Sequence, residues 1–327
     1  MERTAAPAAA PDRRGRTSAG RLLVLAIALA ALVAFFAAPS AFDRETGAVG
    51  WPTFLSFDNV IDIGGACAIN LVLAVGSTFV IIAGGIDLSV GRLIALTHVV
   101  MVVVAMATGS LALGILACLV AGVAAGLFNG LVSVRFRIPS FIVTLGTMMI
   151  ARGLALVAAA GHTISCGYTA PVAVQRVLPI VLSLAVMLAG HLVLARTVFG
   201  RHVFAVGGNA ETARLCGIRV GRVQTLAFVL SGLCTGLAGL IFWVRQGTGD
   251  PLAGDGQELY AIAAVIVGGT SLSGGRGSIV GTLLGALIMG VLAYGLFFMG
   301  VPTPWQWVII GSVVIVTVLL DKLQRTE

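Results

Sequence analysis

Runs of 17 or more apolar residues, each closed by glycine, proline or charge, recur along almost the whole chain. Nothing constrains a fold more, because a bilayer core of about 30 Å is spanned by about 20 such residues in a helix and every backbone polar group there must be satisfied internally. With 58% hydrophobic and 10% charged residues in 327, the chain leaves no stretch polar enough for a water-soluble domain. The runs are continuous rather than alternating, which excludes the strands of a membrane barrel. The expected fold is an all-α membrane protein of about ten transmembrane helices, with windows near 20–39, 60–83, 89–108, 111–134, 139–159, 177–195, 223–244, 257–273, 277–298 and 304–321. The organisation expected is a tail over 1–20, one polytopic domain over 21–321 and a second tail over 322–327.

Charge gives the orientation. With the N-terminus in the cytoplasm, all of the 20 basic residues except Arg44, Arg152, Arg176 and Arg245 fall on the cytoplasmic side, Arg92 and Arg276 among them. Asp43, Glu45, Asp58, Asp62, Asp250, Asp255 and Glu258 collect on the other side. This is a positive-inside pattern, and an even number of helices puts both termini in the cytoplasm. The net charge of +7 therefore reports topology and gives no reason to expect nucleic acid as a partner; the partner it implies is the lipid bilayer. The first run also has the shape of a signal peptide, but an uncleaved first helix suits the charge count better.

The apolar text is interrupted at residues 81–92, IIAGGIDLSVGR, and again at 265–276, VIVGGTSLSGGR. The two align without gaps at seven of twelve positions, sharing the order G-G-x-x-L-S-x-G-R. This order points to a duplicated helix-turn-helix. Gly84 and Gly85, and Gly268 and Gly269, are placed to end a helix in left-handed geometry. Asp87 or Ser89 can cap the next helix, and Asp87 can alternatively line or gate a pathway; Ser271 stands at the aligned position, so the turn itself does not need the charge.

Residues 196–222 form the longest internal cytoplasmic loop. Within it Asn209 is placed as an N-cap, Glu211 lies in the first turn of a short helix, Arg214 near its end, and Gly217 just beyond as a stop. A short surface helix adds nothing that a simple turn would lack for folding, so its expected use is docking to a cytoplasmic partner. The chain has a single lysine, Lys322, followed by Leu323, so it contains no phosphate-binding G-x-x-x-x-G-K-[ST] loop. If ATP drives the process, another subunit binds it. Five scattered cysteines and four dispersed histidines show neither disulfide nor metal-ligand spacing, and no metal is expected.

The stretches GGIDLSVG (84–91), RFRIPSFIVTLGTMMIARGLAL (135–156), GRHVFAVGGNAETARLCGI (200–218), SGLCTGLAGL (231–240) and AIAAVIVGGTSLSGGRGSIVGTLLGAL (261–287) occur in this order. Together they make the chain resemble the permease subunits of ribose-type carbohydrate ABC importers, from about residue 60 to the C-terminus. The resemblance implies a second permease copy, a cytoplasmic ATPase subunit that binds ATP and Mg, and a periplasmic binding protein that delivers the sugar. It also implies an inner-membrane location, no enzymatic activity in this chain, and the Asn209–Gly217 segment as the contact with the ATPase. Permeases for nucleosides or branched-chain amino acids share the architecture and are the alternative, although the GGIDLS form favours sugars.

Polar residues inside the apolar windows are the remaining candidates for a path: Asn70, Asn129, Thr144, Thr147 and Glu258. Interhelical hydrogen bonding is the plainer role for each. An ion-coupled transporter would need carboxylates deep in the spans, where only Asp87 and Glu258 come near, and no catalytic pairing suggests a membrane enzyme. Gly126 with Gly130, and Gly232 with Gly236 and Gly239, have the spacing of close helix packing.

Overall fold

In the computed structural model the described residues are 13–40 and 53–323. The tail expected over 1–20 falls outside them up to residue 12, as do Asp43, Glu45 and residues 324–327; helix begins at Arg13. The elements are α1 (Arg13–Ser40), a one-turn 3-10 helix (Thr53–Leu55), α2 (Phe57–Ile82), α3 (Val90–Thr108), α4 (Leu111–Phe136), α5 (Ser140–Ala158), α6 (Val172–Arg196), α7 (Val198–Gly208), α8 (Ala210–Leu215), α9 (Val220–Gln246), α10 (Gln257–Val267), α11 (Ile279–Phe298) and α12 (Thr303–Leu323). Eight of these are long and apolar enough to cross a membrane, with two shorter apolar helices besides, at Gln257–Val267 and within α12. Each of the ten expected windows therefore holds a helix, and no strand is present among the described residues.

α2 is the axis of the bundle. From Cys67 to Ile82 its residues are all buried, and it packs against α6, α9, α10 and α11. α4 and α9 make the most extensive helix pair, for the reason the glycine spacing suggests. A methyl group on Gly126 would run into the Phe228 carbonyl, and one on Gly232 into the carbonyl of Gly122. Backbones this near gain dispersion along their whole contact, which in lipid replaces the hydrophobic effect as the force joining helices. Gly126→Leu is accordingly expected to force α4 from α9 at a cost of about 1–3 kcal/mol, read as a lower melting temperature of the detergent-solubilised protein, with Gly146→Leu, where space is open, as the control.

The sequence windows mislead in one place. α10 is expected over 257–273, but it has 11 residues, about 16 Å at 1.5 Å per residue against a core of about 30 Å. The depth it does not cover is filled by the non-helical residues 247–256. Gly247, Gly254 and Gly256 all have positive φ there, which bars a continuous helix. This segment runs along α3: Gly249 pairs with Ile164 and lies against Val102, the Asp250 amide donates to His98 Nε2 at 2.8 Å, and Gly254 lies against Gly91 and Ile94.

Candidate functional site

The two glycine breaks end their helices in the same way, but one residue out of step with the gapless sequence alignment. After α2, Gly84 has φ +84° and its amide donates to Ile81 O, while the Gly85 amide donates to Val80 O. After α10, Gly269 has φ +94°, its amide donates to Ile266 O, and the Thr270 amide donates to Val265 O. Gly84 therefore corresponds to Gly269, and Gly268 is the C-cap. The downstream halves differ further. α3 starts one residue after Ser89, whereas α11 starts at Ile279, where the Ser278 hydroxyl accepts from the Gly281 amide at 2.9 Å. Ser271 and Ser273 lie in the loop between and are not structural counterparts of Asp87 and Ser89. Glycines stop the helix at both places, and the two chains diverge beyond them because a helix stop is set by local backbone geometry alone.

Nor is the first break a surface turn. Residues 85–89 have no regular secondary structure and connect the end of α2 to the start of α3, with Asp87 and Ser89 buried. α5 supplies their hydrogen bonds from one face: the Ile86 amide donates to Ser140 Oγ at 3.0 Å and the Leu88 amide to Thr144 Oγ1 at 3.2 Å. Ser140 and Thr144 are one helical turn apart, and their hydroxyls reach two alternate amides of this segment that would otherwise go unsatisfied.

Asp87 is buried, 2% exposed. Its Oδ1 accepts from the Ser89 amide at 3.0 Å and the Ser89 hydroxyl at 2.6 Å, and its Oδ2 from the Ser231 hydroxyl at 2.9 Å. The network continues outward: Asn129 Nδ2 donates to Ser89 Oγ at 3.0 Å, and the Thr147 hydroxyl donates to Asn129 Oδ1 at 2.6 Å. Ser231 stands about 16 Å along α9 from its first residue, counted at 1.5 Å per residue. The carboxylate thus sits near mid-depth of the bundle, where an aspartate costs about 2.5–3.5 kcal/mol to insert. Neither the Asp87 nor the Ser89 side chain makes a capping bond to an amide of α3, so the expected helix-cap role of these two residues is corrected. Asp87 closes a turn onto Ser89 and joins α3, α4, α5 and α9 through hydrogen bonds; Ser89 occupies the N-cap position of α3 without a capping bond from its side chain.

A second junction lies at the start of α3. Arg92, with a side chain 7% exposed, pairs with Asp255, and Gly91 faces the Glu258 carboxylate and the Gly254 carbonyl so closely that no side chain would fit. Charge counting places Arg92 and Asp255 on opposite sides of the membrane. They meet because two non-helical segments, one of them the first break, run to the start of α3: residues 85–89 lead into it, and residues 247–256 reach it along α3 from the other direction. Charge counting cannot see this, because it assigns each residue to the nearer helix end. Above this pair His98 Nδ1 donates to Ile94 O at 2.5 Å while its Nε2 accepts from Asp250, which fixes the neutral ring in one tautomer and fastens the inward segment to α3.

Two path candidates lack partners. Asn70 is 4% exposed and neither atom of its amide makes a hydrogen bond, and Glu258 Oε2 is likewise buried and unpaired. Buried polar groups in native interiors are nearly always satisfied by protein or water, and these atoms have no hydrogen-bond partner within the protein. Ser140, Ser231, Arg92 and His98 are not singled out as site residues by the sequence. Ser231 stands within the SGLCTGLAGL stretch, and Ser140 one helical turn before Thr144, so both signals are present there.

The cap geometry of α8 matches the expectation in each part. Asn209 Oδ1 accepts from the Thr212 amide at 2.9 Å, Glu211 and Arg214 form an exposed ion pair at 2.5 Å, and Gly217 has φ +82°. α7 lies in the segment expected as loop and precedes α8, its N-cap Thr197 accepting from the Gly200 amide. Among the described residues no group of three or more His, Cys, Asp or Glu is placed to hold a metal ion.

Comparison with known proteins decides the family. Residues 59–318 match the family described as branched-chain amino acid transport system / permease component. The ribose import permease protein of Escherichia coli K12 is 37% identical over 84% of this chain and 88% of its own length. The chain belongs to the ribose-type ABC importer permeases. Further relatives are the ribose import permease protein of Bacillus subtilis, 40% identical over 83% of this chain and 87% of its own length, and the L-arabinose ABC transporter permease protein of Azospirillum brasilense, 37% identical over 84% and 83%. No solved structure matches. The permease is thus a multi-pass inner-membrane protein whose relatives are transport proteins rather than enzymes, and the match takes in both glycine breaks, α8 and the Asp87 network.

Proposed function

We propose that this permease carries a monosaccharide, a pentose or hexose, across the inner membrane as the membrane subunit of an ATP-driven importer. The observation that carries the reading is its likeness, over most of both chains, to permeases named for ribose and L-arabinose. A separate cytoplasmic ATPase subunit binds ATP and Mg, a periplasmic binding protein delivers the sugar, and a second copy of this chain completes the path. The α8 end of the bundle faces the cytoplasm. Asn209, Glu211, Arg214 and Gly217 shape the helix that docks on the ATPase. Asp87, Ser89, Asn129 and Thr144 hold the inward break at mid-depth, and Asn70 and Glu258, with hydrogen-bonding capacity unused, offer it to a passing hydroxyl.

Uptake by the reconstituted assembly tests this, with pentoses, hexoses, nucleosides and branched-chain amino acids as labelled substrates. ATP-dependent uptake of a sugar is expected. Uptake of a nucleoside or a branched-chain amino acid in its place overturns the substrate, and uptake that survives ATP depletion but collapses with the proton gradient overturns the energy source. Glu211→Ala and Arg214→Ala are each expected to lower uptake at least about tenfold, equivalent to about 1.4 kcal/mol, and to reduce ATP hydrolysis stimulated by loaded binding protein, with insertion into the membrane unchanged. Normal stimulated hydrolysis in both variants removes the docking role.

A further inference from the structure

Three segments far apart in sequence touch through bare backbone at the α8 end of the bundle. The Gly275 amide donates to Ile82 O, the last residue of α2, at 2.9 Å. Gly207, near the end of α7, lies against the same carbonyl so closely that a methyl group would enter it and stand 2.6 Å from the Gly275 amide nitrogen. A methyl group on Gly274 would lie 2.8 Å from Gly207 O and 3.1 Å from Ile82 O. Gly274 and Gly275 both have positive φ, +80° and +72°, so their conformation is one that glycine alone adopts without strain. α7 is also fixed to α2 by the stacked rings of Phe199 and Phe79, 6.2 Å apart.

The location of this contact matters more than its closeness. Ile82 leads directly into the first break at Gly84, Gly274 and Gly275 belong to the loop after the second break, and Gly207 stands two residues before Asn209, the N-cap of α8. Contacts between backbones have no side-chain torsions through which to yield, so a displacement at one is passed to the others. We propose that the junction of Ile82, Gly207, Gly274 and Gly275 is the positioning element that carries movement of α8 to both breaks at once, so that one docking helix drives the segments after α2 and after α10 together. This rests on the reading of α8 as the helix that docks on the ATPase.

The test uses the complete transporter, with ATPase and loaded binding protein. Gly207→Ala is compared with Gly208→Ala, where a Cβ meets nothing within 4 Å. The expected result for Gly207→Ala is a complex that still assembles and hydrolyses ATP, while uptake per ATP falls at least about tenfold, the factor that about 1.4 kcal/mol makes in a rate; Gly208→Ala keeps its uptake. Equal uptake per ATP in the two variants overturns the proposal. Hydrogen exchange on the unmodified complex, with and without a non-hydrolysable ATP analogue, decides the matter should Gly207→Ala fail to insert. Exchange is expected to change in the same direction at 82–85 and 274–276 whenever it changes at 209–216. Change at 209–216 with none at the two breaks overturns the junction; no protection of 209–216 by the ATPase overturns the docking reading beneath it.

Discussion

Asp87→Ala is expected to abolish uptake and to lower the melting temperature of the detergent-solubilised permease. Three donors, the Ser89 amide and the hydroxyls of Ser89 and Ser231, lose their acceptor. An unsatisfied buried donor costs about 1–3 kcal/mol, and Ser89 and Ser231 are themselves buried. Residues 85–89 would then keep only the hydrogen bonds from Ser140 and Thr144 among those made by side chains. Asp87→Asn separates charge from hydrogen bonding. Its carbonyl can still accept from Ser89, and its amide can donate to Ser231, whose hydroxyl oxygen is also an acceptor. The asparagine variant is expected to insert and melt like the parent and to keep uptake within about tenfold, or 1.4 kcal/mol of barrier. Parental uptake and melting in the alanine variant would falsify the structural role given to the network; an asparagine variant as damaged as the alanine one would show that the charge itself is required.

The second large effect concerns Arg92 and Asp255, and its sign is asymmetric. The Arg92 side chain is 7% exposed and that of Asp255 71%. Asp255→Ala removes the ion-pair partner of a buried guanidinium and leaves the Glu258 carboxylate as its remaining counter-charge; with Asp255 itself largely exposed, the expected cost is about 1–3 kcal/mol. Arg92→Met instead leaves a carboxylate that water reaches and fills most of the vacated volume with an apolar chain, so it is expected to cost less than half as much. The double variant should recover part of the loss seen in Asp255→Ala alone. Thermal melting of the three proteins in one detergent measures this, with uptake following the same order because the pair joins the start of α3 to residues 247–256. Equal losses in the single variants, or additive losses in the double, contradict the description of Arg92 as the buried partner.

Much of this architecture is legible in the residues. Ten windows of apolar text correspond to ten apolar helices, because in lipid a run of that length has hardly another way to satisfy its backbone. Gly84, Asn209 and Gly217 can be assigned from local chemistry, since a left-handed φ or a capping oxygen is a property of a few neighbouring residues. The motif stretches carry the family. The depth of Asp87 is not legible in the same way: a cap at the membrane surface and a turn buried at mid-depth need the same residues, and only the hydroxyls of Ser140, Thr144 and Ser231, contributed by helices far along the chain, distinguish them. The same holds for the one-residue offset between the breaks, where seven identities set an alignment that the hydrogen bonds of Gly84 and Gly269 do not obey. Composition and spacing determined that this chain is a helical membrane protein interrupted by two glycine breaks, and the motif stretches that it resembles a permease. Which way the breaks turn, and that Arg92 meets Asp255 where charge counting sets them apart, was decided by tertiary structure, because a non-helical segment carries no periodicity and its path is set by whichever neighbouring helices can satisfy its backbone.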